Sequence, residues 1–179
     1  MTDSIAPEFS RPYRIDQIPG AGLKLDLTAS PEERAALARR FGLPSITTLT
    51  AHVRLKALAG GKLFRLESQF QSDLTQTCVI SLEPIPASVE DSFTVTYTQE
   101  LREEGGLEID LYMDEDDPPD LIEEGVIDVG EAIAEHLALA LDPFPRHPDA
   151  VFTTVDEAPE EPKKANPFQV LVKLQKNNE

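Results

Sequence analysis

The chain has 179 residues, is 40% hydrophobic and carries 33 acidic against 16 basic side chains, giving a formal charge of −17. This length and apolar content suit one domain with a modest core, while the negative field disfavours unaided binding to bare RNA and attracts cations or basic proteins. One cysteine excludes an internal disulfide, the first residues lack the basic and apolar regions of a signal peptide, and no apolar run approaches the ~20 residues that cross a bilayer, so a soluble cytoplasmic protein without membrane partners is expected.

Residues 1–20 read as an N-terminal arm. Leu23, Leu25 and Leu27 then alternate with Lys24 and Asp26, the period of a strand with one buried face. A helix follows over 31–41: Ser30 is its cap, Pro31 suits its first position, Glu33 completes a capping box and Gly42 stops it. Leu49, Ala51, Val53, Leu55 and Ala57 alternate with more polar residues up to Gly60-Gly61, and Phe64, Leu66 and Phe70 resume the pattern beyond, which predicts a hairpin. Its second arm is expected to continue through Leu74, Gln76, Cys78 and Ile80. Pro84-Ile85-Pro86 should then interrupt pairing, because proline lacks a backbone donor. Val89, Asp91, Phe93, Val95 and Tyr97 share the parity of a further strand, with Asp91 the polar exception.

No lysine or arginine occurs from Glu103 to Glu135, and Asp114-Glu115-Asp116-Asp117 lies at the centre of this stretch. Such a segment repels itself and reads as an exposed acidic loop. A second helix is predicted over 128–141, with Asp128 at its start, Glu131 as capping-box partner, and Val129, Ala132, Ile133, His136, Leu137, Ala140 and Leu141 on one stripe. Pro143, Pro145 and Pro148 prevent its continuation. Residues 21–155 are thus read as a single α+β domain, an antiparallel β-sheet of three to six strands packed by two main helices. Residues 156–179 read as a flexible tether with a short C-terminal motif, in which Asn166 caps, Pro167 opens and Phe168, Leu171 and Leu174 supply apolar contacts.

Composition and motifs contain little that points to catalysis. His52, His136 and His147 lack the spacing of a metal or acid-base motif, and no G-x-S-x-G, P-loop or Cys-His signature occurs. Cys78 reads as a small residue within the sheet. The candidate partner-binding residues are therefore Asp114, Glu115, Asp116 and Asp117 as an electrostatic docking surface, and Asn166, Pro167, Phe168, Leu171 and Leu174 as a peptide that enters a groove or latches onto its own domain.

Four segments carry a resemblance: Phe9-Ser10-Arg11-Pro12; Thr77-Cys78-Val79-Ile80-Ser81-Leu82-Glu83-Pro84; Ile127-Asp128-Val129-Gly130-Glu131 with the later Leu141-Asp142-Pro143; and Asn166-Pro167-Phe168-Gln169-Val170-Leu171. In this order they resemble the YceD family of bacterial proteins, named for accumulation of large-subunit ribosomal RNA. Typical relatives carry C-x-x-C in the second segment and another cysteine pair downstream, four thiols that look like a tetrahedral zinc site. Here Ser81 stands at the second position, a hydroxyl is a poor zinc ligand, and neither metal nor other cofactor is expected. The resemblance implies a role in accumulation of that RNA or assembly of the subunit, and the family's genes often neighbour that of a ribosomal protein. The expected mechanism is a non-enzymatic factor engaging a basic ribosomal or ribosome-assembly protein, with precursor RNA contacted indirectly. The alternatives are a nuclease acting on precursor ribosomal RNA, or a generic interaction adaptor.

Overall fold

The structure, a computed structural model, describes residues 7–99 and 118–151. The chain divides into two compact units, Met1–Pro148 and Asp149–Glu179. In the first, the elements are β1 (Pro12–Arg14), β2 (Leu23–Thr28), α1 (Pro31–Phe41), β3 (Ser45–Leu58), β4 (Leu63–Thr77), β5 (Pro84–Thr98), β6 (Asp120–Leu121), β7 (Val126–Asp128) and α2 (Val129–Ala140). Strands β2, β3, β4 and β5 pair antiparallel in that order, β6 adds a short parallel edge on Tyr97 and Thr98, and β1 pairs with β7 in a separate ribbon. The fold is α+β. In the second unit only Asp149–Val151 is described, and Val151 is exposed.

The sheet buries one parity. Leu49, Ala51, Val53 and Leu55 of β3 face Leu66, Phe70 and Leu74 of β4, while the intervening side chains point away into solvent. Leu37 and Ala38 of α1, with Val129, Ala132, Ile133 and Leu137 of α2, join the same cluster, so both helices lie on one face. Burying a leucine or phenylalanine side chain contributes roughly 1.5–3 kcal/mol, and this face carries most such residues in the domain.

Helix α1 follows its local sequence closely. Ser30 Oγ accepts the Glu33 N–H at 3.2 Å while the Glu33 carboxylate accepts the Ser30 N–H at 2.7 Å, and Gly42 ends the helix with φ +66°, a left-handed conformation that glycine adopts without strain. Helix α2 departs from expectation in one respect. Asp128 caps it alone, by accepting the N–H groups of Gly130 and Glu131, while the Glu131 side chain reaches Arg40 of α1 instead of closing a capping box.

Two strand readings are corrected. Pro84-Ile85-Pro86 does not interrupt pairing: β5 begins there, with Pro84 opposite Thr77 and Pro86 opposite Thr75. Among the described residues this stretch of β5 has a neighbour on one side only, so prolines two positions apart can aim their missing donors at the open edge and break no ladder bond. The hairpin arm does not run through Cys78 and Ile80 either. β4 ends at Thr77, and Cys78 opens a tight turn in which the Leu82 N–H donates to the Cys78 carbonyl at 3.0 Å and Leu82 takes φ +61°.

Within the N-terminal arm, Phe9 is buried in the core and β1 leads into a 3-10 turn at Ile15–Gln17. Gly130 is the reason the arm can lie so close to α2: a Cβ there would sit 2.3 Å from the Phe9 carbonyl oxygen.

Candidate functional site

The described segments that carry the family resemblance are brought together in pairs. The first pair joins Phe9-Ser10-Arg11-Pro12 to the start of α2. Asp128 Oδ1 accepts the Arg11 N–H at 2.7 Å as well as the Gly130 and Glu131 N–H groups, and Ser10 Oγ donates to Oδ2. The Arg11 guanidinium lies 4.6 Å from the Phe9 ring centroid and forks onto Glu33 at 2.6 and 3.0 Å, holding that carboxyl below its usual range. Nearby, Arg40 of α1 bridges Glu131 of α2 and Glu8 of the arm. The arrangement is a junction of arm, α1 and α2. Its polar groups are occupied with one another, which suits scaffolding.

The second pair joins the Cys78 turn to the segment after α2. Gln76 Nε2 donates to the Asp142 carbonyl at 2.8 Å, the Val79 N–H to the Pro145 carbonyl at 2.9 Å, and the His147 N–H to Cys78 Sγ at 3.4 Å. Sγ also accepts the Ile80 and Ser81 N–H groups, each at 3.4 Å. A hydrogen bond from the Ser81 hydroxyl, then these amides, favour the thiolate and hold the Cys78 pKa down to about 6, against the opposing effect of burial. The turn thus surrounds one sulfur with donors. It does not fit zinc: Ser81 occupies the second ligand position, and among the described residues no three of His, Cys, Asp or Glu gather as a metal-binding group. Cys78 is buried, as the sequence suggested, but in this turn instead of within a strand.

His136 lies on α2 with its ring stacked on Phe93 of β5, 3.7 Å between centroids and 6° between planes, and burial lowers its pKa. His52 sits on the open face of the sheet with Nδ1 2.6 Å from Asp26 Oδ1. Beside α2, burial raises the pKa of Tyr97, assisted by the carboxylates of Asp120, Glu135 and Asp128, and burial with Glu131 raises that of Glu135. No periodicity pointed to this cluster, because its members come from β5, β6, β7 and α2.

The candidate partner-binding residues Asp114, Glu115, Asp116, Asp117, Asn166, Pro167, Phe168, Leu171 and Leu174 all lie outside the described residues. Basic residues gather in the first 65 positions, Arg54, Lys56 and Arg65 among them, as a less negative half that could touch RNA phosphate, and the register collects these three with Lys24 at one end of the open sheet face. There Lys24 stands opposite Arg54, and Lys56 opposite Arg65, in the β2–β3–β4 register.

A family description, Large ribosomal RNA subunit accumulation protein YceD, matches residues 66–175, from within β4 through α2 and into the C-terminal segment. No curated protein and no solved structure matches the chain. With more than half of its length matched, the chain belongs to the YceD family of large ribosomal RNA subunit accumulation proteins.

Proposed function

We propose that this chain is a non-enzymatic cytoplasmic factor in large-subunit ribosomal RNA accumulation and subunit assembly. It acts through a basic ribosomal or ribosome-assembly protein and reaches precursor RNA chiefly by way of that partner. The observation that carries the reading is the charge distribution. At −17 the chain has far more carboxylates than cations, Arg11, Arg14 and Arg40 are already in ion pairs with its own acids, and Glu103 to Glu135 contains no lysine or arginine. Such a surface speeds encounter with a basic protein and loses strength as salt rises. Asp114 to Asp117 would steer the partner, while Phe168, Leu171 and Leu174 provide apolar anchors within the motif opened by Asn166-Pro167.

Tagged purification from native cells after mild crosslinking tests this reading. Precursors of the large subunit and a basic protein should be enriched together, and reversing Asp114, Asp116 and Asp117 to lysine should reduce recovery of both. Recovery of no ribosomal component would overturn the proposal, as would cleavage of precursor RNA by the purified chain with magnesium.

A further inference from the structure

The helices cover one face of the sheet, and on the other face Lys24, Asp26, His52, Arg54, Lys56, Gln69, Ser92 and Thr94 are exposed while Thr96 is buried. The rows of that face follow from the register. Lys24, Arg54, Glu67 and Thr94 form one, Asp26, His52, Gln69 and Ser92 the next, and Lys56, Arg65 and Thr96 a third. Directly opposed residues in an antiparallel pair stand ~5 Å apart, and residues i and i+2 on one strand ~7 Å apart. Lys24, Arg54 and Lys56 therefore form a compact cationic triangle at one end of the face. All three are exposed, and among the described residues none makes an ion pair, whereas Arg11, Arg14 and Arg40 are all paired. Of the two nearest acids, Glu67 stands opposite Arg54 in the same row and Asp26, in the adjoining one, is engaged with His52.

Even with Glu67 opposite Arg54, three adjacent cations on a chain with about twice as many acids as bases repel one another and favour an anionic ligand. The end of the face is also held in place. Gly22 takes φ +79°, and a Cβ there would fall 2.8 Å from Lys56 Cγ and 2.9 Å from the Leu55 carbonyl oxygen, so the turn before β2 packs directly on the Lys56 stem. A shallow concavity of about 570 Å³ opens beside Lys24 and Arg54, lined by Gln69, Ser92 and Thr94 as neutral hydrogen-bonding groups and by the acids Asp26 and Glu67.

We infer that this cationic end docks the phosphate backbone of large-subunit RNA once the chain has been brought to its particle. The inference rests on the family reading for the identity of the RNA. Charge complementarity selects phosphate. Among the described residues the register places no phenylalanine, tyrosine or tryptophan on the open face of β2–β5, and the His52 imidazole there is held by Asp26, so recognition here is of the backbone without sequence preference. Nor does the face show the row of apolar pockets that would read alternate side chains of an acidic peptide. At physiological salt, fields decay over ~8 Å. The triangle acts at contact, while the charge of the whole chain keeps binding to free RNA weak, so the contact contributes mainly when a second interaction supplies high local concentration.

The test places a photo-crosslinking amino acid at Thr94, on the open face, or at Leu139, 79% exposed on α2, in the full-length tagged chain in cells. Large-subunit RNA should be captured at least fivefold better from position 94 than from 139. The charge reversal Lys24→Glu with Arg54→Glu and Lys56→Glu should remove that excess while the melting temperature and particle recovery stay near those of the parent. Equal capture from both positions, capture at 94 that survives reversal in a folded variant, or capture of an acidic protein there in place of RNA would overturn the inference. The contrast between positions 94 and 139 needs no charge variant, so it decides even if reversal unfolds the chain. Particles recovered without RNA crosslinks at 94 overturn this inference alone. RNA crosslinks at 94 without a basic protein partner support it and overturn the partner mechanism; absence of RNA crosslinks and ribosomal components overturns both.

Discussion

The Asp128 carboxylate accepts the Arg11 backbone N–H at 2.7 Å across 117 positions of sequence, so the cap of α2 is also the anchor of the N-terminal arm. A helix cap contributes ~1 kcal/mol in its own right. Here its loss also strips partners from the Arg11 amide and the Ser10 hydroxyl, both part-buried, and each such group costs about 1–3 kcal/mol when left unsatisfied. Asp128→Ala should therefore lower stability by roughly 2–4 kcal/mol in urea unfolding. Asp128→Asn, which still caps and accepts, should lose about 1 kcal/mol or less. Similar losses in the two variants would mean that the carboxylate acts through charge and not as an acceptor.

Gly130→Ala separates helix propensity from packing. Alanine is favoured over glycine in a helix by ~1 kcal/mol, so the substitution would stabilise an isolated α2. In the fold the new methyl meets the Phe9 carbonyl at 2.3 Å and the Arg11 nitrogen at 2.9 Å, and both are backbone atoms that cannot swing aside. The variant should be destabilised by about 1–3 kcal/mol, and its effect should not add to that of Asp128→Ala because both act by releasing the arm. A raised melting temperature would show that the arm does not hold its place against α2.

What was legible in the sequence divides by distance along the chain. The Ser30–Glu33 capping box and the alternation from Leu49 to Leu55 could be read because each is complete within a few residues. Glu131 was misassigned because the capping signature is local, while Arg40, which takes its carboxylate, lies 91 positions away. Pro84 and Pro86 misled for a related reason. A proline stops a central strand but fits an edge, and edge position is a property of the whole sheet. The cationic triangle was dispersed among other basic residues until the register set Lys24 beside Arg54. Charge counting could suggest a less negative half of the chain, but it could not tell paired arginines from open ones.

Cys78 gives a pH prediction. Its folded pKa, about 6, lies below the ordinary thiol value of 9.0, so the folded state favours the thiolate. This stabilisation is fully present above the unfolded pKa and is lost as pH falls through the folded one, so the Cys78 contribution should rise between about pH 6 and 9. Burial lowers the His136 pKa and gives a slope of the same sign at the acid end, which comparison with Cys78→Ser subtracts. The stability difference between parent and Cys78→Ser should widen with pH across that window. A constant difference would refute thiolate stabilisation. Zinc content should be well below stoichiometric in both proteins, and chelator should leave both melts unchanged.

Deleting residues 157–179 tests the tail separately from the scaffold. Every strand and helix described lies before Asp142, and the polar junctions at Asp128 and Cys78 are made by residues up to His147. The truncated chain should therefore melt within a few degrees of the parent. If Phe168, Leu171 and Leu174 anchor a partner, recovery of large-subunit precursors should fall sharply while the fold survives. A drop in stability that precedes any loss of partners would identify the segment as a latch on its own domain. Normal melting with full recovery would remove both roles and leave recruitment to the acidic stretch around Asp114 to Asp117, where charge reversal in the truncated chain would then have to abolish it.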